Sequence, residues 1–71
     1  MTEERLANRL LAERTRCGWT QAQLAEAVGV SRKTINTVEN GVFVPSTTLA
    51  LKLARALDRP VEELFRLERG G

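Results

Sequence analysis

The chain has no histidine, no tyrosine and a single cysteine, Cys17. Without histidine there is no Ser-His or Cys-His pair for nucleophilic catalysis. One cysteine makes no internal disulfide, and alone it makes no zinc site. No Gly-rich phosphate loop is present. An enzyme, a metal centre and a bound cofactor are therefore not expected, and no small-molecule ligand is evident. No apolar run reaches the ~18 residues of a membrane span. The opening Met1-Thr-Glu-Glu-Arg-Leu6 is acidic and has no apolar core of the kind a signal peptide carries. Absence of disulfides suits a reducing, cytoplasmic setting. Strand signals are also scarce, since alternation of β-branched and aromatic residues dies out quickly.

What the 71 residues do contain is helix punctuation. A chain this short buries only about 60% of its unfolded surface, so it needs tight helix packing or a partner subunit. The reading is a single all-α domain over residues 1–71, with its core at about 5–67 and a frayed tail at 68–71. Five helices are expected. The first spans Glu3 to Arg16, with Leu6, Leu10 and Cys17 on one stripe and Gly18 suited to its C-cap. The second begins at the capping box Thr20-Gln-Ala-Gln23 and ends at Gly29, with Trp19 and Leu24 placed as a hydrophobic staple. Ser31 caps the third, Arg32 to Asn40. Ser46 caps the fourth, Thr47 to Leu57, and Pro60 starts a short fifth, Val61 to Leu67.

The link Gly29-Val30-Ser31 is short enough to force its two helices to cross steeply, with Gly29 supplying a positive φ. The third helix then projects from a supporting one. At about 100° per residue, Arg32, Asn36, Asn40, Lys33 and Thr37 share one arc, and Thr34, Val38 and Ile35 share the other. The first arc has no acid, and Glu39 lies at the boundary. Such a face can be merely solvated. It also has what groove reading requires: Arg and Lys for guanine, Asn for adenine, Thr for the thymine methyl. The amides at the start of the second helix offer a phosphate site that Gln21 could join, although Gln21 reads equally as an ordinary polar first-turn residue.

The net charge is +2 with an isoelectric point near 9.3, so any basic surface must be assembled by folding. Cys17 reads as a small core hydrophobe rather than a redox sensor. Arg16 and Lys52 read as solvated charges.

The motifs TQxxLA at Thr20, VGVS at Val28, TI at Thr34, ENG at Glu39 and PS at Pro45 together resemble the Cro/C1-type (XRE) family of phage and bacterial repressors. The resemblance covers about residues 5–67. It implies a compact five-helix, lambda-repressor-like DNA-binding domain and a sequence-specific, double-stranded-DNA-binding transcriptional regulator. It assigns Arg32, Lys33 and Thr37 to base edges, with Asn36 a further candidate. It assigns Gln21, Ser31 and Asn40 to phosphates, and it pairs Arg14 with Glu39 as a structural ion pair.

Three departures stand out. The family's basic residue and tyrosine after ENG are here Val42 and Phe43, which implies a shallower salt dependence. Phe43 is expected among the phosphate contacts, or instead packs on the core or touches sugar. The family often has an apolar residue where this chain has Glu13, which is either a solvated charge or a perturbation of the first helix.

Helix-turn-helix dimers read two half-sites one DNA turn apart. The expectation is a homodimer on a palindromic operator, acting as a repressor by occlusion. Val61 to Leu67 has more apolar residues than one short helix needs, so Leu64, Phe65 and Leu67 are the interface candidates, with Leu64 and Phe65 split between core and partner. An antitoxin with the same recognition helix, or a protein-interaction module, are the rival readings.

Overall fold

In the computed structural model, which describes residues 4–69, five helices are joined by a two-stranded ribbon. The elements are β1 (Glu4–Asn8), α1 (Leu10–Arg16), α2 (Gln21–Val28), α3 (Arg32–Glu39), α4 (Thr47–Leu57), α5 (Val61–Leu64) and β2 (Phe65–Arg69). The core is built from apolar faces of every helix. Leu10, Leu24, Ile35, Leu53, Leu57, Leu64 and Val38 are wholly buried within it. Trp19, Cys17, Val61 and Phe65 pack on it while keeping part of their surface.

The capping residues act where their chemistry predicts. Thr20 accepts from the Gln23 amide and Gln23 returns a bond to Thr20 N, completing the capping box. Ser31 caps α3 through Thr34 N, and Ser46 caps α4 through Leu49 N. Gly29 ends α2 at φ 76°, a left-handed conformation that glycine adopts without a Cβ penalty. The fourth helix closes in the same left-handed conformation, on a non-glycine residue, Asp58 at φ 55°.

The strict all-α expectation is corrected at both ends of the described chain. Residues 4–8 are extended rather than helical, and the first helix starts only at Leu10. The fifth helix stops at Leu64, and residues 65–69 form β2. The two strands pair antiparallel, with Leu6 opposite Leu67, Arg5 opposite Glu68 and Asn8 opposite Phe65. The physical reason is non-local. Leu6 and Leu10 have helical spacing, but a ladder with the far end of the chain satisfies the backbone of both segments at once. Glu68 and Arg69, expected in a frayed tail, belong to this ladder. Glu3, at the expected start of the first helix, and Gly70-Gly71 lie outside the described residues.

Asn8 ties the ribbon to the bundle. Its Oδ1 accepts from Leu10 N at 3.0 Å, and its Nδ2 donates to Val38 O at 3.0 Å. One amide therefore starts α1 and holds the end of α3.

Candidate nucleic-acid interface

The third helix presents its polar arc outward. Arg32, Lys33, Asn36 and Asn40 are exposed, while Ile35 and Val38 on the opposite arc are buried. Arg32 and Lys33 form no ion pair with any described residue. Thr37 is half-buried: its hydroxyl donates to Thr34 O at 2.9 Å. Its carbonyl accepts from Val42 N and Phe43 N, so the loop after α3 is folded back onto Thr37.

The one acid of α3 is turned away from this face. Glu39 has a side chain only 4% exposed, and Arg14 Nε lies 2.6 Å from its Oε2. The Arg14 Nη2 reaches Oε1 at 3.3 Å and Nη1 donates to Trp19 O at 2.8 Å. The pair expected between Arg14 and Glu39 is therefore present, and it joins α1, the turn before α2 and the last residue of α3. With Glu39 neutralised inside, the outer face keeps Arg32 and Lys33 uncompensated, which favours an anionic partner.

The amide side chains form a connected row. Gln21 Nε2 donates to Glu39 Oε1 at 2.9 Å and to Asn36 Oδ1 at 3.2 Å. Asn40 Nδ2 donates to Asn36 O and Asn36 Oδ1. Gln21 and Asn40 thus brace the helix within the subunit, and Asn36 accepts from both. The Asn36 Nδ2 donates to no described residue, which leaves it as the outward-facing donor of the row. Ser31 is exposed, with its hydroxyl 3.0 Å from that of Thr34.

Phe43 is 47% exposed and Val42 is 77% exposed. The Phe43 ring lines a shallow groove with Val28, Val30, Thr34 and Leu49, so it covers the turn while leaving an edge in solvent. Of the interface candidates, Leu64 belongs to the core, being 1% exposed, and is corrected from that role because it has no surface left to offer. Phe65 is half-buried and Leu67 is 66% exposed.

Two arrangements escaped sequence reasoning. Asn8 supports α3 from outside the helix-turn-helix; an Asn just ahead of an apolar run is a helix-start signal that could have found it. Glu13, Arg16 and Arg59 form a cluster with Glu13 buried. Arg16 Nε is 2.7 Å and Arg59 Nε 3.2 Å from Glu13 Oε1. Arg16, read as a solvated charge, also donates to Leu57 O at 3.3 Å. The hydrogen bond from Arg16, joined by that from Arg59, holds the Glu13 carboxyl below its ordinary pKa against the opposing effect of burial.

A helix-turn-helix family model matches residues 10–64, most of the chain. An uncharacterized HTH-type transcriptional regulator, YgzD of Bacillus subtilis, is 41% identical over 63 residues, covering 89% of this chain and 96% of the relative. The restriction-modification controller protein C.AhdI from Aeromonas hydrophila superposes with a TM-score of 0.74 at 40% identity, covering 78% of this chain and 83% of that one. The antitoxin HipB of Escherichia coli O6:H1 is 36% identical over 53 residues, which are 75% of this chain but 56% of HipB. With the acid-free outer face of α3 and the capped turn that presents it, these similarities place the chain in the Cro/C1-type (XRE) family of helix-turn-helix, DNA-binding transcriptional regulators.

Proposed function

We propose that this protein binds a palindromic operator in double-stranded DNA as a homodimer and represses transcription by occluding the promoter. The observation that carries the reading is the outer face of α3, where exposed Arg32, Lys33 and Asn36 stand together and Glu39 is withdrawn into a buried pair. Arg32 and Lys33 read base edges in the major groove, Asn36 donates through its free Nδ2, and Thr37 offers its methyl. Ser31, the first amides of α2 near Gln21, Asn40 and the Phe43 edge lie against the flanking backbone and fix the register. Binding is steered by charge and needs no catalytic group, cofactor or metal. No helix among the described residues is long and apolar enough to cross a membrane, in keeping with a cytoplasmic site of action.

In vitro selection of bound duplexes tests this directly. The expected result is an enriched inverted repeat with half-sites about one helical turn, ~34 Å, apart. Enrichment of a single half-site would remove the dimer. No enrichment over random duplex would remove sequence-specific binding.

The likeness to HipB supports a second reading, an antitoxin that binds DNA and also neutralises a toxin. Co-purification of the product of a neighbouring gene, with restored growth of cells expressing that product, would favour it.

A further inference from the structure

The ribbon ends in an unpaired edge that carries its own complement. Arg9 N donates to Leu64 O at 2.8 Å, one step beyond the Asn8–Phe65 pair. In an antiparallel ladder bonded and non-bonded pairs alternate. The inward-facing backbone groups of β2 are therefore those of Leu64, Arg66 and Glu68, and those of Phe65, Leu67 and Arg69 face away from β1. Of these the Phe65 amide already donates to Val61 O, which leaves the edge open from the Phe65 carbonyl onward. No described strand pairs with that outer edge. An open edge with an exposed leucine at its centre is a template for another strand.

The occupant is set by charge. A second copy of β2 meeting the first about a two-fold axis can centre on Arg66, Leu67 or Glu68. Centring on Arg66 opposes two arginines, and centring on Glu68 opposes two glutamates; like charges directly opposite are destabilising. Centring on Leu67 sets Leu67 against its own copy in a bonded pair and places Arg66 opposite Glu68 of the second copy, twice over. Within the subunit Arg66 bonds Glu68 at 2.9 Å, so the two intrastrand pairs join into one alternating-charge cluster. Arg66–Glu68 then falls on non-bonded pairs, where side chains approach more closely. At each end Phe65 stands opposite Arg69 of the second copy, where its carbonyl is the group free to bond, its amide being held by Val61 O. The outer edge of β1 offers no such match, because Arg5 would oppose Ala7 and Glu4 would oppose Asn8.

The apolar side of the ribbon supports the same arrangement. Leu6, Leu67 and Phe65 share one face of the ladder. Leu6 and Phe65 also line a groove with Val44, Pro45, Ala50, Leu51 and Val61. In the paired form this face doubles and Leu67 gains an apolar neighbour.

We infer that two copies of this chain associate edge to edge through β2, centred on Leu67, making a four-stranded antiparallel sheet. This rests on the dimeric reading above and names its surface. The test is sedimentation equilibrium of the wild type and Leu67→Lys, with far-UV circular dichroism as the check of fold. Leu67 is largely exposed within the subunit, so the substitution leaves the monomer's core untouched. The expected result is a wild-type dimer whose association weakens about tenfold or more when two lysines face each other at the axis.

A second variant tests the register: Leu67→Cys in a Cys17→Ser background forms a covalent dimer under mild oxidation. Bonded antiparallel pairs hold Cα atoms about 5.5 Å apart, within disulfide reach. Val42→Cys in the same background, exposed but away from the strand, is the control and cross-links far more slowly. A wild-type dimer that persists in Leu67→Lys, or a Leu67→Cys variant that cross-links no faster than the control, overturns the edge pairing and leaves the dimer standing. A wild type that is monomeric with and without operator overturns both.

Discussion

Arg14 and Glu39 hold α3 from behind, through a two-pronged contact of 2.6 and 3.3 Å between α1 and the end of α3. Both side chains are nearly removed from water, at 13% and 4% exposure. Breaking a buried pair by removing one partner leaves an uncompensated charge and costs about 3–5 kcal/mol, whereas replacing both can be neutral. We expect Arg14→Met to lower unfolding stability by about that amount and the double variant Arg14→Met/Glu39→Leu to recover most of it. Urea unfolding of the two variants checks this; equal stability of Arg14→Met and the parent would show that the contact is not structural.

Base reading by α3 predicts a particular pattern of loss. Arg32→Ala should weaken operator binding by about 1–3 kcal/mol and relax specificity at one base position. Binding to a panel of single-position operator variants provides the measurement. A uniform loss on all of them would reassign Arg32 to the phosphate backbone.

Val42 occupies the place where a basic residue would add a phosphate contact. It is 77% exposed, so a longer side chain meets no packing restriction. Val42→Lys should steepen the dependence of log affinity on log salt by about 0.9, the value of one further neutralised phosphate in B-DNA. An unchanged slope in a salt titration would place this position away from DNA.

The turn between α2 and α3 depends on Gly29 at φ 76°. A Cβ built there meets no atom within 4 Å, so the cost of substitution is conformational and not steric crowding. Gly29→Ala should destabilise by about 1–2 kcal/mol through the left-handed backbone alone. Thermal and urea unfolding measure it. A neutral outcome would mean that the turn relaxes to another conformation.

The Glu13 cluster ties stability to pH. The Arg16 guanidinium bonded to Glu13, with that of Arg59, lowers its carboxyl from the ordinary value of 4.5. A group with a depressed folded pKa binds more protons unfolded than folded in the window between the two values. Its contribution is therefore complete above the unfolded value and is lost as pH falls through the folded one. Glu13→Gln should flatten the acid side of the stability profile, from neutrality down through and below pH 4.5. If unfolding measured across that range has the same pH dependence in both proteins, the cluster makes no such contribution.

The middle of the chain was legible from its residues because its signals are local. Thr20 with Gln23, Ser31 and Ser46 each satisfy amides within their own first turn. Gly29 sets its turn by backbone geometry, and the apolar spacing of α3 decides which arc is buried. The outward face of Arg32, Lys33 and Asn36 follows from that spacing. The ends of the chain depend on each other and were not legible in the same way. Alternation in Phe65-Arg-Leu-Glu-Arg69 is a strand signal only once a partner strand is available, and the spacing of Leu6 and Leu10 suits a helix equally well.

What the order of residues determined by itself was therefore the capped helical centre and the chemistry of its exposed face. What only the tertiary structure decided was the ribbon of β1 and β2, the burial of Leu64, the brace from Asn8 and the partners of Glu13. Each of these joins residues far apart in the chain, so its free energy exists only after the chain has closed on itself.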